Sequence, residues 1–438
     1  MNVSIVMLII GFTVLLLMVK FELGPMSRLS AGRRWLMTLV LGSGMVAFSI
    51  KLALIATFVH FPEQTIRQQI AMRKSPALVT WDSGKFAAAE QPVVQVQKPY
   101  EWRALPGVAP APAWNPTTPE KVALGERLFH DTALSIDRTV SCSSCHDVRN
   151  GAGEDHRPSS TGVGGQVGNR NAPTVWNAAF QAVLFWDGRA ASLEDQAIGP
   201  PLNPVEMGMP SAEAIEQRVR ADVSYREPFA RAFGADRPIT IRQIAAAIAA
   251  YERTLITPDA PYDRFVRGDD KALTTAQLRG MELFQSVGCI QCHSGPNFSG
   301  ASLFDPPPST QRLFPVFDSP EYMKRYKLNK DPGANAPGSK QAVWRIPSLR
   351  NVALTAPYFH NGSVDSLPEA VRIMATVQRG RQVGSGTNGV RAVVWSKQDR
   401  TIARNDTAVL SDRDVDDIVA FLKSLSSDTL AARNGNGG

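Results

Sequence analysis

Two short stretches decide the fold, TVSCSSCHDV at residues 139–148 and VGCIQCHSG at residues 287–295. Each places two cysteines three positions apart, with a histidine directly behind the second cysteine. Together they use all four cysteines of the 438-residue chain. Because the spacing is repeated in full and no cysteine is left over, it indicates a dedicated attachment chemistry.

Three chemistries compete for these two units. Disulfides suit an exported protein, but a Cys-x-x-Cys ring is small and leaves the histidines unexplained. Zinc needs a fourth ligand, and neither unit has an obvious one nearby. Covalent c-type haem attachment explains every position, because the thiols form thioethers to the porphyrin and the adjacent histidine reaches the iron. This interpretation predicts two c-type haems, with thioethers at Cys142, Cys145, Cys289 and Cys292 and proximal ligands at His146 and His293.

The sequence around the two units is duplicated. The helical patterns KVALGERLF and AQLRGMELF each precede one unit, and each contains Gly-x-x-Leu-Phe. Thr118 and Pro119 are a good cap and first-turn pair for the first helix, and Thr275 opens the second. The repeat predicts two domains built on one plan, cytochrome c-like and haem-binding, at residues 119–268 and 269–438.

Two further helical patterns complete this body. Residues 240–256 (TIRQIAAAIAAYERTLI) are apolar enough for a core helix that joins the two domains. Residues 411–425 begin with a serine cap and acidic first turns, and they carry one apolar face. Strand signals are weak throughout, so the expected fold is mainly α.

Residues 1–61 are predicted to anchor the chain in a membrane. An uncharged apolar run covers residues 3–19, and a second run, interrupted by Lys51, covers about 36–61. The basic loop between the runs favours a transmembrane helical hairpin with both ends outside the cytoplasm. A later start at Met26, with one signal or anchor segment, would deliver the body to the same side. Because c-type haem is attached outside the bacterial inner membrane, the body is expected in the periplasm.

Residues 62–118 are predicted to form an extended, proline-rich tether in which Trp102 and Trp114 pack on the body. The net charge of +7 belongs almost entirely to residues 1–75, which carry eight Lys or Arg against two Glu. A basic face for nucleic acid is therefore not expected.

With the two attachment units assigned, the rest of the body resembles one family, the bacterial di-haem cytochrome c peroxidases with their MauG-type relatives. The resemblance rests on GNRNAPTVWNAAF (168–180), LFWDGRAASLEDQAIGPPLNPVEMG (184–208), AAYERTL (249–255) and WRIPSLRNVALTAPYFHNGS (344–363). It implies a periplasmic enzyme that reduces hydrogen peroxide to water with electrons from a small cytochrome or cupredoxin. Homodimers are usual in this family.

The resemblance assigns the peroxide site to haem one. It implies that Glu206 moves the proton and that Gln196 orients peroxide, although spacing alone would leave both as solvated loop residues. Met207 and Met209 are implied to pack, since either as an iron ligand would leave a pure electron carrier. Many members close this haem with a histidine where this chain has Val163. Haem one is therefore expected to be five-coordinate and to need no reductive activation.

Haem two is expected to be low-spin and to relay electrons. Met374 is its implied sixth ligand, and on pattern alone it belongs to the apolar face of a helix. Trp186 matches the tryptophan that lies between the two haems in the family, a position that a plain core aromatic would also fill. Arg189 is implied to bind haem propionates, and His360 to support haem two by hydrogen bonding.

A calcium site between the domains is common in the family. The matching ligands here are Asn171 through its side chain and Thr355 and Pro357 through their carbonyl groups. His156 is a spare histidine that would reach haem one only from a mobile loop, and a solvated loop residue is the simpler interpretation.

Three other functions stay open at the level of the sequence. A MauG-like oxidase would spend the same chemistry on an aromatic residue of a partner protein. A non-catalytic electron carrier would hold two six-coordinate haems, and a zinc protein would hold no haem.

Overall fold

The computed structural model describes residues 100–304, 310–317, 319–339, 341–383 and 409–435. These residues belong to one compact unit, Lys98–Gly438. The predicted membrane hairpin and most of the predicted tether lie outside the described residues. Among the residues that are described, no helix is long and apolar enough to cross a bilayer.

The described chain is mainly helical, as predicted. Its α-helices are α1 (Pro119–Phe129), α2 (Cys142–Cys145), α3 (Leu193–Leu202), α4 (Ala212–Ala221), α5 (Arg226–Phe233), α6 (Ile241–Glu252), α7 (Pro261–Val266), α8 (Thr275–Ser286), α9 (Pro320–Tyr326), α10 (Leu367–Val377), α11 (Asp412–Lys423) and α12 (Asp428–Gly435). Its strands form two small sheets: β1 (Gln311–Phe314) pairs antiparallel with β2 (Ala342–Arg345), and β3 (Gln382–Val383) pairs parallel with β4 (Val409–Leu410).

The helix starts follow local capping chemistry. Thr118 caps α1, and its side chain accepts a hydrogen bond from the backbone of Lys121 at 3.4 Å. The second repeat helix begins with Thr274 as its cap, one residue before the predicted start. Ser411 caps α11 and forms a capping box with Asp414.

The duplicated glycines mark a helix crossing in each half of the molecule. At Gly125 in α1, an added Cβ would overlap the carbonyl oxygen of Ala247 in α6. At Gly280 in α8, an added Cβ would overlap the carbonyl oxygen of Asp417 in α11. Because only glycine allows two helix backbones to approach this closely, the repeated motif builds the same two-helix frame twice.

Each helix frame has its own apolar core. The N-terminal core includes Leu128 of α1 and Ile248 of α6, and the C-terminal core includes Phe284 of α8 and Phe421 of α11. The helix α6 packs against α1, α3 and α4, so it is the core helix of the N-terminal half rather than a joint between halves. The residue boundaries given above for the two domains stay a prediction.

Residues 100–118 form a strap without helix that contacts both halves. Trp102 packs against the C-terminal core, and Leu105 is 1% exposed. Asn115 is fully buried in the N-terminal half, where it donates a hydrogen bond to Glu194 at 2.7 Å. Trp114 is 62% exposed. The prediction that Trp114 packs on the body is wrong, because the turn directs the neighbouring asparagine inward instead.

Candidate active site

A cavity of about 1230 Å³ lies in the described part of the molecule and is lined by both Cys-x-x-Cys-His units. Pockets for single small ligands usually have volumes of about 300 to 1,000 Å³. Cys145 and His146 line one part of the wall, and Cys289, Cys292 and His293 line another. The size and lining of this cavity fit two porphyrins.

The two units share one backbone hydrogen bond. The first is the single helical turn α2, and the second is the 3₁₀ turn Cys289–Gln291. In both, the backbone N–H of the histidine donates to the carbonyl of the first cysteine at 2.9 Å. This hydrogen bond fixes the imidazole relative to the thiols in the same way twice, as a shared attachment chemistry requires.

Both proximal histidines are held through Nδ1. His146 Nδ1 lies 3.2 Å from the carbonyl oxygen of Gly153, and His293 Nδ1 lies 3.1 Å from that of Phe298. Because a carbonyl only accepts, Nδ1 carries the hydrogen and Nε2 keeps its lone pair. Burial lowers the pKa of both imidazoles, to about 4 for His293. A neutral imidazole with a free Nε2 is the form that ligates iron, so both residues fit the predicted haems.

The disulfide and zinc alternatives fit the cysteines less well. All four are free thiols. Burial raises the pKa of Cys142 and of Cys289 to about 12. Within the described residues, no group of three or more His, Cys, Asp or Glu side chains is arranged to hold a metal ion.

Gln196 and Glu206 both line the cavity. Gln196 belongs to α3, and Glu206 follows in the loop after that helix, where Asn203 Nδ2 donates to Glu206 Oε1 at 2.6 Å. Burial raises the pKa of Glu206. Burial also raises the pKa of Cys145, and the Glu206 charge adds to that rise, which places the carboxylate near the first unit. The cavity wall thus contains the predicted proton-transfer group, near Cys145, and the predicted amide.

Three residues occupy the sequence positions from which a second iron ligand of haem one could come. Met207 and Met209 are 2% and 3% exposed and pack in the N-terminal core, away from the described cavity lining. Val163 is buried in the same core, and its backbone N–H donates to the carbonyl of Glu206 at 3.0 Å. None of these three side chains lines the cavity in the described structure.

Trp186 and Arg189 both line the cavity. The indole Nε1 of Trp186 donates to the backbone carbonyl of Asn171 at 2.8 Å, which fixes the orientation of the ring. The guanidinium of Arg189 is 51% exposed, pairs with Asp187 at 2.8 Å and stacks 3.5 Å over the ring of Phe185. The role of Arg189 toward a propionate stays a prediction, since its charge already has a partner.

Arg345 is a candidate that the sequence reasoning missed. It lines the cavity, is 6% exposed, and donates from Nε to the carbonyl of Phe185 at 3.0 Å. Burial lowers its pKa to about 10. No carboxylate of the described residues forms an ion pair with it. A buried guanidinium beside a cofactor cavity fits a haem propionate as its counter-ion. The available signal was a charge between Trp344 and Ile346 in an apolar run.

Met374 and His360 lie on the cavity wall with the second unit. Met374 belongs to α10 and packs, like Cys289, against the C-terminal core. His360 is 4% exposed and stacks on Trp344 with ring centroids 4.1 Å apart. Its Nε2 has no hydrogen-bond partner in the described structure, so a polar group of a bound haem would satisfy it.

The three residues predicted to bind calcium also line this cavity. Asn171, Thr355 and Pro357 all line it, and the side chain of Asn171 donates to the carbonyl of Arg157 at 2.8 Å. Asn171 is more than 180 positions from the other two residues in the chain, and the calcium site stays a prediction.

Glu154 is a second residue that the sequence reasoning missed. It is 1% exposed and lines the cavity, and its carboxylate lies within hydrogen-bonding reach of the backbone of His156 and the side chain of Asn171. Burial, with the nearby Asp155, raises its pKa to about 8. The exposed His156 sits beside it, with Nδ1 2.7 Å from Glu154 Oε1 and 3.0 Å from the carbonyl of Ala356. His156 is thus a loop residue that contacts Glu154 and Ala356 rather than the cavity lining near Glu206.

Comparisons with known proteins define the class. A family model described as di-haem cytochrome c peroxidase matches residues 119–271, and one described as cytochrome c matches residues 277–426. The chain belongs to the family of di-haem cytochrome c peroxidases and MauG proteins. Two c-type haems follow from that membership.

Two similar relatives are named cytochrome c peroxidases. The chain is 41% identical to cytochrome c peroxidase Ccp of Escherichia coli (strain K12) over 323 residues, which cover 73% of this chain and 61% of that relative. It is 40% identical to cytochrome c551 peroxidase of Pseudomonas aeruginosa over 313 residues, which cover 71% of this chain and 80% of the relative. Names shared at this identity make the chain a peroxidase-class oxidoreductase. The matched part spans less than two thirds of the Escherichia coli relative.

A solved structure gives the same fold. The crystal structure of a MauG-like protein associated with microbial copper homeostasis superposes with a TM-score of 0.60 and 31% sequence identity, and the match covers 76% of this chain and 98% of that one.

Proposed function

We propose that this protein reduces hydrogen peroxide to two waters with electrons from a small periplasmic redox protein. The observation that carries the proposal is the difference between the two cofactor sites. Glu206 lines the cavity near Cys145 of the first unit and Gln196 lines the same cavity, whereas Met374 and Cys289 both pack against the C-terminal core. When bound, a c-type haem supplies an iron that binds peroxide where its sixth position is open and relays electrons where that position is filled.

Glu206 moves the proton in this proposal. Cleavage of the oxygen–oxygen bond needs a proton taken from one oxygen and given to the other, and one positioned carboxylate does both. The raised pKa of Glu206 brings this group closer to a neutral working pH. The hydrogen bond from Asn203 holds the carboxylate in place, and the amide of Gln196 orients peroxide by hydrogen bonding.

Trp186 would carry electrons between the second and the first haem site. The hydrogen bond from its indole to Asn171 supports this role, because a ring with one fixed orientation needs little reorganisation during electron transfer. Met374 would hold the second haem through its thioether, and such a ligand would favour the reduced state, which suits an electron acceptor.

The buried position of Val163 supports an enzyme that needs no reductive activation. The test is an absorption spectrum of the oxidised, haem-loaded protein before and after one equivalent of peroxide. A high-spin fraction that disappears on adding peroxide, without prior reduction, is the expected result. Wholly low-spin iron that ignores peroxide until it is reduced contradicts the proposal. Intact-mass measurement in the same sample checks that two porphyrins are attached.

A calcium ion at Asn171, Thr355 and Pro357 is part of the proposal, and Glu154 supplies its negative charge. The support is the buried carboxylate of Glu154, which lies beside the side chain of Asn171 and so offers a hard anionic oxygen next to a predicted ligand. Calcium titration of the haem-loaded protein tests this assignment. Glu154→Gln is expected to weaken binding, and an unchanged dissociation constant would remove Glu154 from the site.

The proposed setting is the periplasmic face of the inner membrane, with residues 1–61 as the anchor. Its support is the pair of apolar runs and the basic loop between them. Cell fractionation tests it, since a variant without residues 1–61 should leave the membrane fraction. Dimerisation, proposed from the family, is tested by light scattering of the haem-loaded body.

A MauG-like oxidase is the second candidate, and the fold match to a MauG-like protein favours it. Such an enzyme would oxidise Trp or Tyr of a co-expressed partner and would turn over reduced cytochrome only feebly. Met374 on the wall with the second unit favours the peroxidase.

A further inference from the structure

The strap carries an aromatic pair that the proposed reaction does not use. Tyr100 and Trp102 lie before residue 119, where the family match begins. Their ring centroids are 4.7 Å apart in an edge-to-face arrangement. Both side chains are half-buried, so the pair reaches from the interior to the solvent.

Each ring is connected to the second proximal histidine. The hydroxyl oxygen of Tyr100 accepts a hydrogen bond at 2.9 Å from the backbone N–H of Gly295, two residues beyond His293. The ring of Trp102 lies 6.3 Å from that of Phe298, whose carbonyl oxygen is 3.1 Å from His293 Nδ1. Two short routes, each with few gaps between bonded atoms, therefore lead from His293 to the surface. They leave the histidine on the side away from the cavity, because Nε2 is the nitrogen assigned to the iron.

Tyrosine and tryptophan are the side chains that most readily give up one electron. We propose that Tyr100 and Trp102 form an electron relay from the second haem to the surface, which supplies electrons when the donor protein is absent. This inference rests on the proposed peroxidase function. Without the relay, an enzyme that has reduced peroxide and finds no donor keeps both oxidising equivalents inside the protein.

The chemistry of the relay balances. Peroxide takes two electrons and two protons and gives two waters. Trp102 with one water gives hydroxytryptophan, two electrons and two protons, the protons leaving to solvent at the exposed edge of the pair. The sum is Trp102 and hydrogen peroxide going to hydroxytryptophan and one water, so the residue gains one oxygen atom.

Trp102 also packs in an aromatic group with Tyr262, Phe298 and Phe421, so packing alone would explain its burial. Trp114 provides the matched control, because it lies on the same strap, is 62% exposed, and takes part in none of the ring contacts found among the described residues. Peroxide acting from solution should attack the exposed Trp114. Oxidation through the second haem should instead fall on the half-buried Trp102.

The experiment uses the haem-loaded full chain, treated with a few equivalents of peroxide without donor and then digested with trypsin. Arg103 separates the two tryptophans onto different peptides, so mass spectrometry measures each oxygen gain independently. The expected result is several-fold more oxygen on Trp102 than on Trp114. Trp102→Phe, which keeps a ring in the aromatic group, should prolong the oxidised state without shifting oxidation to Trp114. Thermal unfolding confirms that the variant is folded.

Peroxide consumption with a reduced small c-type cytochrome is measured on the same samples. Wild type and Trp102→Phe should consume peroxide equally, because the donor then supplies the electrons. Equal or greater oxidation at Trp114 overturns the relay while leaving the peroxidase function intact. No consumption of peroxide with donor overturns the proposed function and the relay together.

Discussion

Replacing Glu206 by glutamine tests the proton-transfer step with little structural disturbance. Asn203 Nδ2 donates to Glu206 Oε1 at 2.6 Å, and a glutamine carbonyl can accept the same bond, so the side chain should keep its place. The variant loses only the capacity to take and return a proton. Acid–base groups of this kind contribute roughly 10²- to 10⁴-fold to rates. The kcat/KM for peroxide should fall by that factor, which raises the barrier by about 3 to 5 kcal/mol.

Stopped-flow mixing of the oxidised, haem-loaded protein with peroxide over a pH series measures this effect. The base must be ionised to accept the first proton, so activity is present above the pKa of Glu206 and is lost as the pH falls through it. Burial raises that pKa, which places the acid limb of the profile above the ordinary glutamate value of 4.5. Glutamine should abolish the limb. Asp195→Asn, an exposed carboxylate one residue from Gln196, is the matched control and should behave as wild type. An unchanged rate constant in Glu206→Gln, or an acid limb that persists in it, would refute the reasoning.

Three further changes probe the cofactor sites and the frame. Arg345→Met removes a buried cation, so the midpoint potential of the neighbouring haem should fall. The haem-loaded protein should also lose roughly 1.5 to 3 kcal/mol of stability. A midpoint potential equal to that of wild type would contradict a contact between Arg345 and a propionate. Met374→Leu should convert the second haem from low-spin to high-spin and stop donor oxidation, whereas an unaltered spectrum would reject Met374 as ligand. Gly280→Ala forces a Cβ into a helix crossing and should lower the free energy of unfolding by about 1 to 3 kcal/mol. Gly107→Ala is its control and should leave that free energy unchanged, because no atom lies within 4 Å of the added Cβ.

The parts of this molecule that local chemistry determines were predictable from the sequence. The two Cys-x-x-Cys-His units give their turns because each turn is closed by a backbone hydrogen bond within five consecutive residues. Thr118 and Ser411 give helix starts for the same reason, since a cap acts within one turn. The repeated Gly-x-x-Leu-Phe motif indicated duplication. Why glycine is needed became clear only when the crossing helix, more than a hundred residues away in each half, was in place.

Contacts between distant segments could not be predicted from the sequence. Arg189 and Arg345 are both arginines in family motifs, and only the fold shows that the first is half exposed beside Asp187 while the second is buried on the cavity wall. Glu154 looks like any acidic loop residue until the loop containing Ala356, about two hundred positions later, packs over it. Trp114 was predicted to be buried and is exposed. An aromatic residue in an apolar strap need not be the one that turns inward.

The two halves share a frame but differ in what lies between the haem-binding turn and the crossing helix. In the first half that interval contains α3 to α5 and presents Gln196 and Glu206 to the cavity. In the second half it contains both β1 and β2 together with α10, which presents Met374. If this division is correct, alanine at Gly125 and at Gly280 should destabilise the protein in the same manner, because each glycine meets a carbonyl of the opposing helix. Glu206→Gln and Met374→Leu should instead give unlike losses, one of proton transfer and one of electron entry. If both variants lost the same kinetic step, the segments between the haem-binding turn and the crossing helix would not determine the chemistry of the two haems.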